Sequence, residues 1–233
     1  RDLRQRYGVN TVIDSTTDGL AAGDLLDIPD EAFCAGTGVY YAKFSSGTER
    51  IVATCGSRFY YLDGTTWSRP NIHQNPFTAG QNNQFVFTTA LDNILLTNGV
   101  DVPYQWTGGA STAPTAVSFT GLTNTVQTAK AIAFFKNYLI VGNTKENNVQ
   151  YATRFRWSNV GTINTWTDND YIDIAASGGQ ELIALVELYD NLYIFLTDSV
   201  HRVSYVGGVD TFQISKVSDN IGCVAKNSVQ TIT

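Results

Sequence analysis

A strand–turn–strand unit repeats four times along this chain of 233 residues. Each copy has an apolar run of strand length, a tight polar turn, a second apolar run, and a further turn that ends on an aromatic residue. The copies span 51–67, 85–106, 131–151 and 182–205. A meander of this size cannot bury its apolar face alone, so the repeat predicts that similar meanders stack on one another.

The spacing of the copies is close to that of propeller blades. The second apolar runs are centred near Tyr60, Leu95, Leu139 and Tyr193, which gives steps of 35, 44 and 54 residues. Blades of known propellers repeat at roughly 40 to 50 residues. No stretch combines helical length with a clean 3.6-residue period. We therefore predict an all-β fold, a β-propeller-like array of antiparallel meander blades. An all-β sandwich remains the alternative, because short strands with regular turn signals fit both.

Turns and core positions follow from the same repeat. Asn, Asp and Gly tolerate the positive φ that tight hairpins require, and they recur between the apolar runs. The predicted reversals are at Gly56-Ser57, Asp92-Asn93, Lys136-Asn137 and Asp190-Asn191. We expect one apolar residue pair from the first run of each copy to be largely removed from water: Ile51, Val52, Phe85, Phe87, Ile132, Phe134, Ile183 and Leu185.

We interpret residues 1–233 as a single all-β domain that is a piece of a longer protein and part of a larger propeller. The segment 228–233 is predicted to be the opening strand of a fifth copy. Residues 143–180 are predicted to be a long inter-strand insertion. The spacing between copies increases along the chain, and the added residues follow the second apolar run of each copy.

Composition limits the partners that the chain can bind. The chain is 43% hydrophobic and 15% charged, with a net charge of −6, and these values fit a globular protein with a sizeable core. The one notable basic group is Arg1, Arg4 and Arg6. Tight nucleic-acid binding needs clustered cations, so we expect no such footprint. No apolar run reaches the roughly 18 residues of a membrane span, and none has the flanks of a signal peptide.

Cysteine, histidine and aspartate positions give no strong sign of catalysis or metal binding. Because the cysteines are odd in number, we predict that Cys34, Cys55 and Cys223 are buried free thiols. His73 and His201 lack a zinc motif or an adjacent nucleophile pattern, although a triad assembled only in space stays open. We expect no cofactor.

Two groups of aspartates merit consideration, because paired carboxylates suit glycoside hydrolysis and metal binding. The first group is Asp14, Asp18, Asp24, Asp27 and Asp30, and the second is Asp168, Asp170 and Asp173. The Asp168-Asn169-Asp170 spacing is similar to the start of a calcium loop, but the later Gly and the closing Glu do not follow. These patterns favour turns or solvated surface.

The C-terminal half carries a series of motifs in a distinctive order. They are W-S-N-x-G-x-x-x-T-W at 157–166, D-x-D-Y-x-D at 168–173, a Gly178-Gly179 turn, D-N-L-Y-I-F at 190–195, R-V-S-Y-V-G-G at 202–208 and G-C-V-A-x-N-S-V at 222–229. Over about 130–233 this order resembles the packaged-DNA stabilisation and tail-nozzle proteins of tailed bacteriophages. The copies before residue 130 resemble the family only in the spacing of their strands and turns.

The resemblance implies a structural protein of the virion tail, without enzymatic activity, that forms a ring in the head-to-tail channel. It further implies self-association, expected as a hexamer, contact with other tail or portal-adaptor proteins, and passage of packaged DNA without sequence-specific binding. Such a protein is assembled in the host cytoplasm and carries no membrane anchor. The alternative is a carbohydrate-binding or sialidase-like, glycan-cleaving propeller of the tail tip.

The loop between two tryptophans is the candidate assembly surface. Trp157 and Trp166 flank a polar turn, and Arg154 and Arg156 precede it. Aromatic residues and arginine are enriched at interface cores. The rings could also pin the loop through N–H bonds to the backbone, or form a sugar-stacking platform. The turn departs from the Asp-box of sialidase-like propellers, because Val160 stands in place of the aspartate.

Overall fold

The computed structural model describes residues 36–70, 76–78, 80, 82–176, 178–208 and 210–229. In this part of the chain every regular element is a β-strand. The strands are β1 (Gly36–Lys43), β2 (Glu49–Cys55), β3 (Arg58–Asp63), β4 (Thr66–Ser68), β5 (Val86–Ala90), β6 (Asn93–Thr97), β7 (Tyr104–Trp106), β8 (Thr115–Ala116), β9 (Val126–Phe135), β10 (Tyr138–Glu146), β11 (Val149–Ser158), β12 (Trp166–Asp173), β13 (Leu182–Leu188), β14 (Asn191–Leu196), β15 (Ser199–Tyr205) and β16 (Phe212–Asp219).

The strands form four separate four-stranded sheets, each made of consecutive strands: β1–β4, β5–β8, β9–β12 and β13–β16. Neighbouring strands pair antiparallel, so each sheet is a simple meander. This confirms the predicted all-β, propeller-like array of antiparallel meander blades. The sandwich alternative is wrong, because the strands do not join into two continuous sheets.

Two-residue turns close most of the hairpins. Leu91 and Asp92 have φ values of 48° and 56°, and Lys136 and Asn137 have 51° and 64°. Paired positive φ values give a turn whose twist matches that of the flanking strands. The predicted reversals near Asp92 and Asn137 therefore form as tight hairpins.

The chain divides into two compact units, 1–85 with 106–115, and 86–105 with 116–233. In the first unit, the core is built around Trp106, which is buried. Its ring lies 5.0 Å from Phe59 and 5.5 Å from Tyr61, centroid to centroid. Val52 on β2 is fully buried in the same unit.

In the second unit, both faces of the β9–β12 sheet are covered. One face packs against the β13–β16 sheet in a cluster that includes Phe135, Ile140, Leu192 and Ile194. The opposite face packs against β5 and β6 in a cluster centred on Leu139. Burial of each such side chain is worth roughly 1.5 to 3 kcal/mol. Face-to-face stacking of sequential meanders is therefore the main source of stability of this unit.

The predicted core positions follow this packing only in part. Val52, Phe85 and Ile132 are buried. The remaining five, Ile51, Phe87, Phe134, Ile183 and Leu185, are half-buried.

Tyr60 lies one strand later in its sheet than the corresponding residues of the other three copies. Tyr60 lies in β3, the third strand of its sheet, whereas Leu95, Leu139 and Tyr193 lie in second strands. An anchor at Val52 in β2 lengthens the first step to 43 residues. Phe59 to Tyr61 are more strongly apolar than β2, so the sequence pattern indicates β3 in place of β2, and the spacing of the second strands is more regular than predicted.

Segment 143–180 is part of a meander and not an insertion between strands. It contains the end of β10 and the whole of β11 and β12, the third and fourth strands of their sheet. Sequence periodicity did not identify them because β11 buries Arg154 and Arg156 among its inward positions. The predicted fifth-copy strand at 228–233 lies largely outside the described residues.

The prediction that all three cysteines are free thiols is also wrong, because Cys55 forms a disulfide. Cys223 is buried and free. An odd number of cysteines leaves at least one thiol unpaired, but it does not prevent another from being bonded. Cys34 lies outside the described residues. The described ranges contain no helix that is long and apolar enough to cross a membrane.

Candidate functional site

The four residues predicted as an interface lie inside the β9–β12 sheet and its packing. Trp157 and Trp166 are 6% and 2% exposed, and Arg154 and Arg156 are equally buried. These side chains are therefore covered by their own chain. The prediction of an assembly surface made from them needs correction, because a side chain already buried in its own fold cannot form the core of an interface.

Glu146, at the end of β10, is the centre of a buried charge cluster. Its carboxylate accepts hydrogen bonds from Thr144 Oγ1 at 2.8 Å, Arg154 Nη1 at 3.1 Å, and Arg156 Nε and Nη2 at 3.2 and 3.1 Å. The Glu146 side chain has no exposed surface. A buried carboxylate is tolerated only when it is paired and hydrogen-bonded, and here two guanidinium groups meet that need.

Arg154 links this cluster to the edge strand β12. Its Nε and Nη2 donate to the two carboxylate oxygens of Asp173 at 2.7 and 2.8 Å. The guanidinium lies between the rings of Tyr151 and Tyr171, 3.7 Å from each centroid. Burial opposes the charge of Arg154, but the bonds to Asp173 outweigh it and raise the pKa of the guanidinium. The arginine thus stays charged and holds β11 against β12.

Arg156 completes the connection. Its Nη1 donates to the backbone oxygens of Thr167 and Asp168, at 3.3 and 3.1 Å. Since Arg156 also binds Glu146, it joins β10 to β12 across β11. Ion pairs and hydrogen bonds of the two arginines therefore hold β10, β11 and β12 together.

The two tryptophans have different surroundings. Trp166 packs against Phe119 at 4.8 Å and donates from Nε1 to the oxygen of Ser118 at 3.2 Å. Trp157 packs edge-on against Phe212 at 5.1 Å. Its buried Nε1 has no hydrogen-bond partner. The expectation that both N–H groups bind the backbone is confirmed only for Trp166, and neither ring is exposed as a sugar-stacking platform.

The loop between these tryptophans rests on the neighbouring hairpin. Ser158 Oγ accepts from the Leu139 N–H at 2.9 Å and donates to the Thr162 oxygen at 2.7 Å. Gly161 N donates to the oxygen of Asn137 in the β9–β10 turn at 2.8 Å. Val160 at the tip is 62% exposed. The loop is pinned by its polar groups and presents an apolar side chain to solvent.

A serine and a histidine meet on β15. Ser199 Oγ lies 3.1 Å from His201 Nε2, and it donates to Gln180 Oε1 at 2.9 Å. The hydroxyl proton is thus directed to Gln180, away from the imidazole. Burial, reinforced by Lys216, lowers the pKa of His201. Ser199 thus bridges Gln180 and His201. His73 lies outside the described residues.

The aspartates of 168–173 point to different partners. Asp168 accepts from both the hydroxyl and the N–H of Thr123, and the hydroxyl bond is the main cause of its lowered pKa. Burial raises the pKa of Asp170, and Asp173 is paired with Arg154. Within the described ranges no three metal-ligating side chains come together. The early aspartate group, Asp14 to Asp30, lies outside those ranges.

Sequence reasoning missed an apolar surface on the turns of the second unit. We name it the turn-edge patch, and it consists of Val160, Leu188, Tyr189, Tyr205 and Val206. All five are exposed, and Tyr189 is 91% exposed. They lie in or beside the β11–β12, β13–β14 and β15–β16 turns, which lie at one edge of their meanders.

The three turns that carry the patch all contact residues 136–138 of the β9–β10 hairpin. The β11–β12 loop bonds to the β9–β10 turn through Gly161 and Asn137, and Lys136 of that turn is ion-paired with Asp190, the residue after Tyr189. The ring of Tyr138 lies 6.1 Å from that of Tyr205. An aromatic residue beside the predicted Asp190-Asn191 reversal was the available sequence signal, because a hairpin tip normally carries small polar residues.

No family model and no curated protein sequence matches this chain. Among solved structures, the chain is similar to the computationally designed protein Ika8 with a TM-score of 0.48 and 15% identity, over 78% of this chain and 48% of that one. It is similar to the designed protein Ika4 with a TM-score of 0.42 and 15% identity, over 80% and 93%.

A third similar structure is the N-terminal domain of Nup159, with a TM-score of 0.47 and 8% identity, over 78% of this chain and 48% of that one. The chain thus spans about half the length of Ika8 and of the Nup159 domain. All three TM-scores are below 0.5, so the architecture described above rests on the strand order and pairing of the chain itself.

Proposed function

We propose that this chain is a structural component of a bacteriophage tail, in the nozzle or head-to-tail channel ring. It acts by self-assembly, as a hexamer, and by contact with neighbouring tail proteins, and it helps retain and conduct packaged DNA. The proposal is supported by the motif order over 130–233 and by the turn-edge patch. No observation on the described residues favours the glycan-binding alternative.

The turn-edge patch is the observation that carries the proposal. Exposed apolar side chains that occur singly are normal on a protein surface, whereas a contiguous group marks an interaction site. The patch contains two tyrosines, and tyrosine is enriched among the residues that dominate binding energy. A second copy of the chain is the occupant that a ring requires, because each subunit of a ring contacts its neighbours.

The charge of the chain suits a channel that conducts DNA. The net charge of −6 is multiplied in a six-fold ring. A wall that neutralised phosphates would hold DNA by releasing its counterions, whereas a negative wall repels it within a Debye length of roughly 8 Å. The protein therefore conducts DNA without binding it tightly.

Paired substitutions on the turn-edge patch test the proposal. Val160→Asp with Tyr189→Asp places two charges in the patch and disturbs no buried contact, since both side chains are exposed. We expect the wild-type chain to sediment as a multimer at high concentration and the double variant to sediment as a folded monomer. The matched control is Val149→Asp at the start of β11, a valine that is 51% exposed and lies outside the patch.

Two results would contradict this function. If the wild-type chain stays monomeric at every concentration, or if the double variant assembles as the wild type does, the patch is not an assembly surface. Hydrolysis of glycans by the purified wild-type chain would instead support the tail-tip alternative. The Val149→Asp variant should retain wild-type assembly, which separates loss of the patch from a general effect of added charge.

A further inference from the structure

The side chain of Asn98, in the loop after β6, is held by hydrogen bonds on both its oxygen and its nitrogen. Its Oδ1 accepts hydrogen bonds from the N–H groups of Val100 at 2.9 Å and Asp101 at 2.8 Å. Its Nδ2 donates to Asp101 Oδ2 at 2.7 Å. Both Asn98 and Asp101 are buried. Two donors on the oxygen polarise the carboxamide carbonyl, as they do where an oxyanion develops in acyl transfer.

An amine lies against the same asparagine. Lys226 Nζ donates to the backbone oxygen of Asn98 at 3.3 Å, across 128 positions of sequence. Burial, with a contribution from Lys130, lowers the pKa of Lys226 to about 8. Roughly a tenth of such an amine is unprotonated at pH 7, far more than for a lysine of ordinary pKa. A neutral lysine amine is a nucleophile toward carbonyl carbon.

The segment that carries Lys226 is firmly seated. Cys223 N donates to the oxygen of Leu196 at 2.9 Å, at the end of β14. Gly222 lies so close to Thr197 that a Cβ there would be 2.3 Å from its backbone carbon and oxygen. Because these contacts fix the chain just before Lys226, the amine is held beside Asn98.

We propose that Asn98 and Lys226 form an intramolecular isopeptide bond, with Asp101 as the proton-transfer group. The neutral Nζ attacks Cγ of Asn98, and the two backbone N–H groups stabilise the negative Oδ1 of the tetrahedral intermediate. Asp101 accepts a proton from Nζ and delivers it to Nδ2. The Cγ–Nδ2 bond breaks, ammonia leaves, and an amide joins Cγ to Nζ with no change of oxidation state.

The bond links two distant parts of the second unit. It ties the segment after β16 to the loop after β6, and so encloses the β9–β12 and β13–β16 sheets in one covalent loop. A cross-link of this kind restricts the unfolded chain, as a disulfide does, and is insensitive to reductant. The inference does not depend on the proposed tail function, because the bond forms within a single chain.

Mass spectrometry of the reduced, denatured full chain tests the proposal. The wild-type protein should be lighter than its sequence mass by one ammonia, and a protease digest should contain a branched peptide that joins Asn98 to Lys226. Lys226→Arg removes the nucleophile, and Asp101→Asn removes the proton-transfer group. Both variants should have their full sequence masses. Lys130→Arg, which keeps a cation beside Lys226, should retain the loss of ammonia.

Asn98 precedes Gly99, and ring closure onto the Gly99 nitrogen would also release ammonia. Such a succinimide is cleaved by hydroxylamine and gives no branched peptide, so its detection would overturn the proposal. A folded wild-type protein with its full mass, checked by circular dichroism, would also overturn it. If Lys226→Arg still loses ammonia, the lysine is not the nucleophile and the proposal is wrong.

Discussion

Tyr189 is the residue whose conformation is hardest to explain by stability alone. It is almost completely exposed, at the tip of the β13–β14 turn, and has a φ of 54°. The left-handed region costs a bulky L-residue roughly 1 to 2 kcal/mol. Leu91 has the same combination of positive φ and exposure at the β5–β6 turn. A large apolar residue at a strained turn is consistent with selection for contact with a partner.

Substitution of Tyr189 by asparagine should therefore stabilise the isolated chain. Asparagine tolerates positive φ, and the exposed ring has little packing to lose, so we expect the free energy of unfolding to rise by about 1 kcal/mol. Urea denaturation measures the change. The same variant should assemble less well than the wild type. A destabilised Y189N chain would show that the ring makes stabilising contacts within its own subunit.

The buried charge cluster makes a second prediction at this scale. Glu146→Leu leaves the guanidinium groups of Arg154 and Arg156 without their shared carboxylate. Removal of one partner from a buried ion pair typically costs 3 to 5 kcal/mol, so we expect a loss of about that size in urea denaturation. Asp173→Asn is the control, because its carboxylate is half exposed and should lose only about 1 kcal/mol. Equal losses in the two variants would contradict the central role of Glu146.

At the scale of the elements, the β11–β12 hairpin is held by backbone hydrogen bonds to the segment around Thr120 as well as by its own turn. Thr120 N donates to the oxygen of Asn164, and Trp166 N donates to the oxygen of Thr120. Gly121 follows with a φ of 99°, and a Cβ there would lie 2.2 Å from the Trp166 oxygen. The hairpin therefore depends on close approach of a backbone that lies outside it.

Gly121→Ala should destabilise the second unit by more than about 2 kcal/mol, because the methyl group meets a backbone oxygen that cannot move away. Gly161→Ala is the matched control within the hairpin. Gly161 also has positive φ, at 71°, but open space around its Cβ position, so only the conformational cost of about 1 kcal/mol is expected. Thermal unfolding of the two variants checks the difference, and similar melting temperatures would contradict the packing described here.

Sequence patterns predicted the strands in which apolar and polar side chains alternate along the chain. The second apolar run of the fourth copy, centred near Tyr193, forms β14, in which Leu192, Ile194 and Leu196 alternate toward the core. The β11 strand was missed because burial of Arg154 and Arg156 depends on Glu146, and no local pattern shows that pairing. For the same reason the predicted interface residues proved to be internal. The disulfide of Cys55 was missed because the number of cysteines does not determine their pairing.

At the scale of the whole molecule, each compact unit has its own core, and the second unit carries the turn-edge patch. The stacked meanders hold the turns that carry the patch beside the β9–β10 hairpin. A rigid, preformed surface binds without the cost of ordering a flexible loop. The proposed ring requires such a surface, because each subunit would contact its neighbours in the same way.

A subunit-resolution image of the assembled particle that contains this protein tests the central claim most directly. The proposed function predicts a closed ring in which Val160, Tyr189 and Tyr205 of each copy are covered by a neighbouring protein. The contact should bury at least about 1,000 Å² between neighbours. A particle in which these side chains face solvent, or in which the chain occurs as isolated copies on the tail surface, would contradict the account.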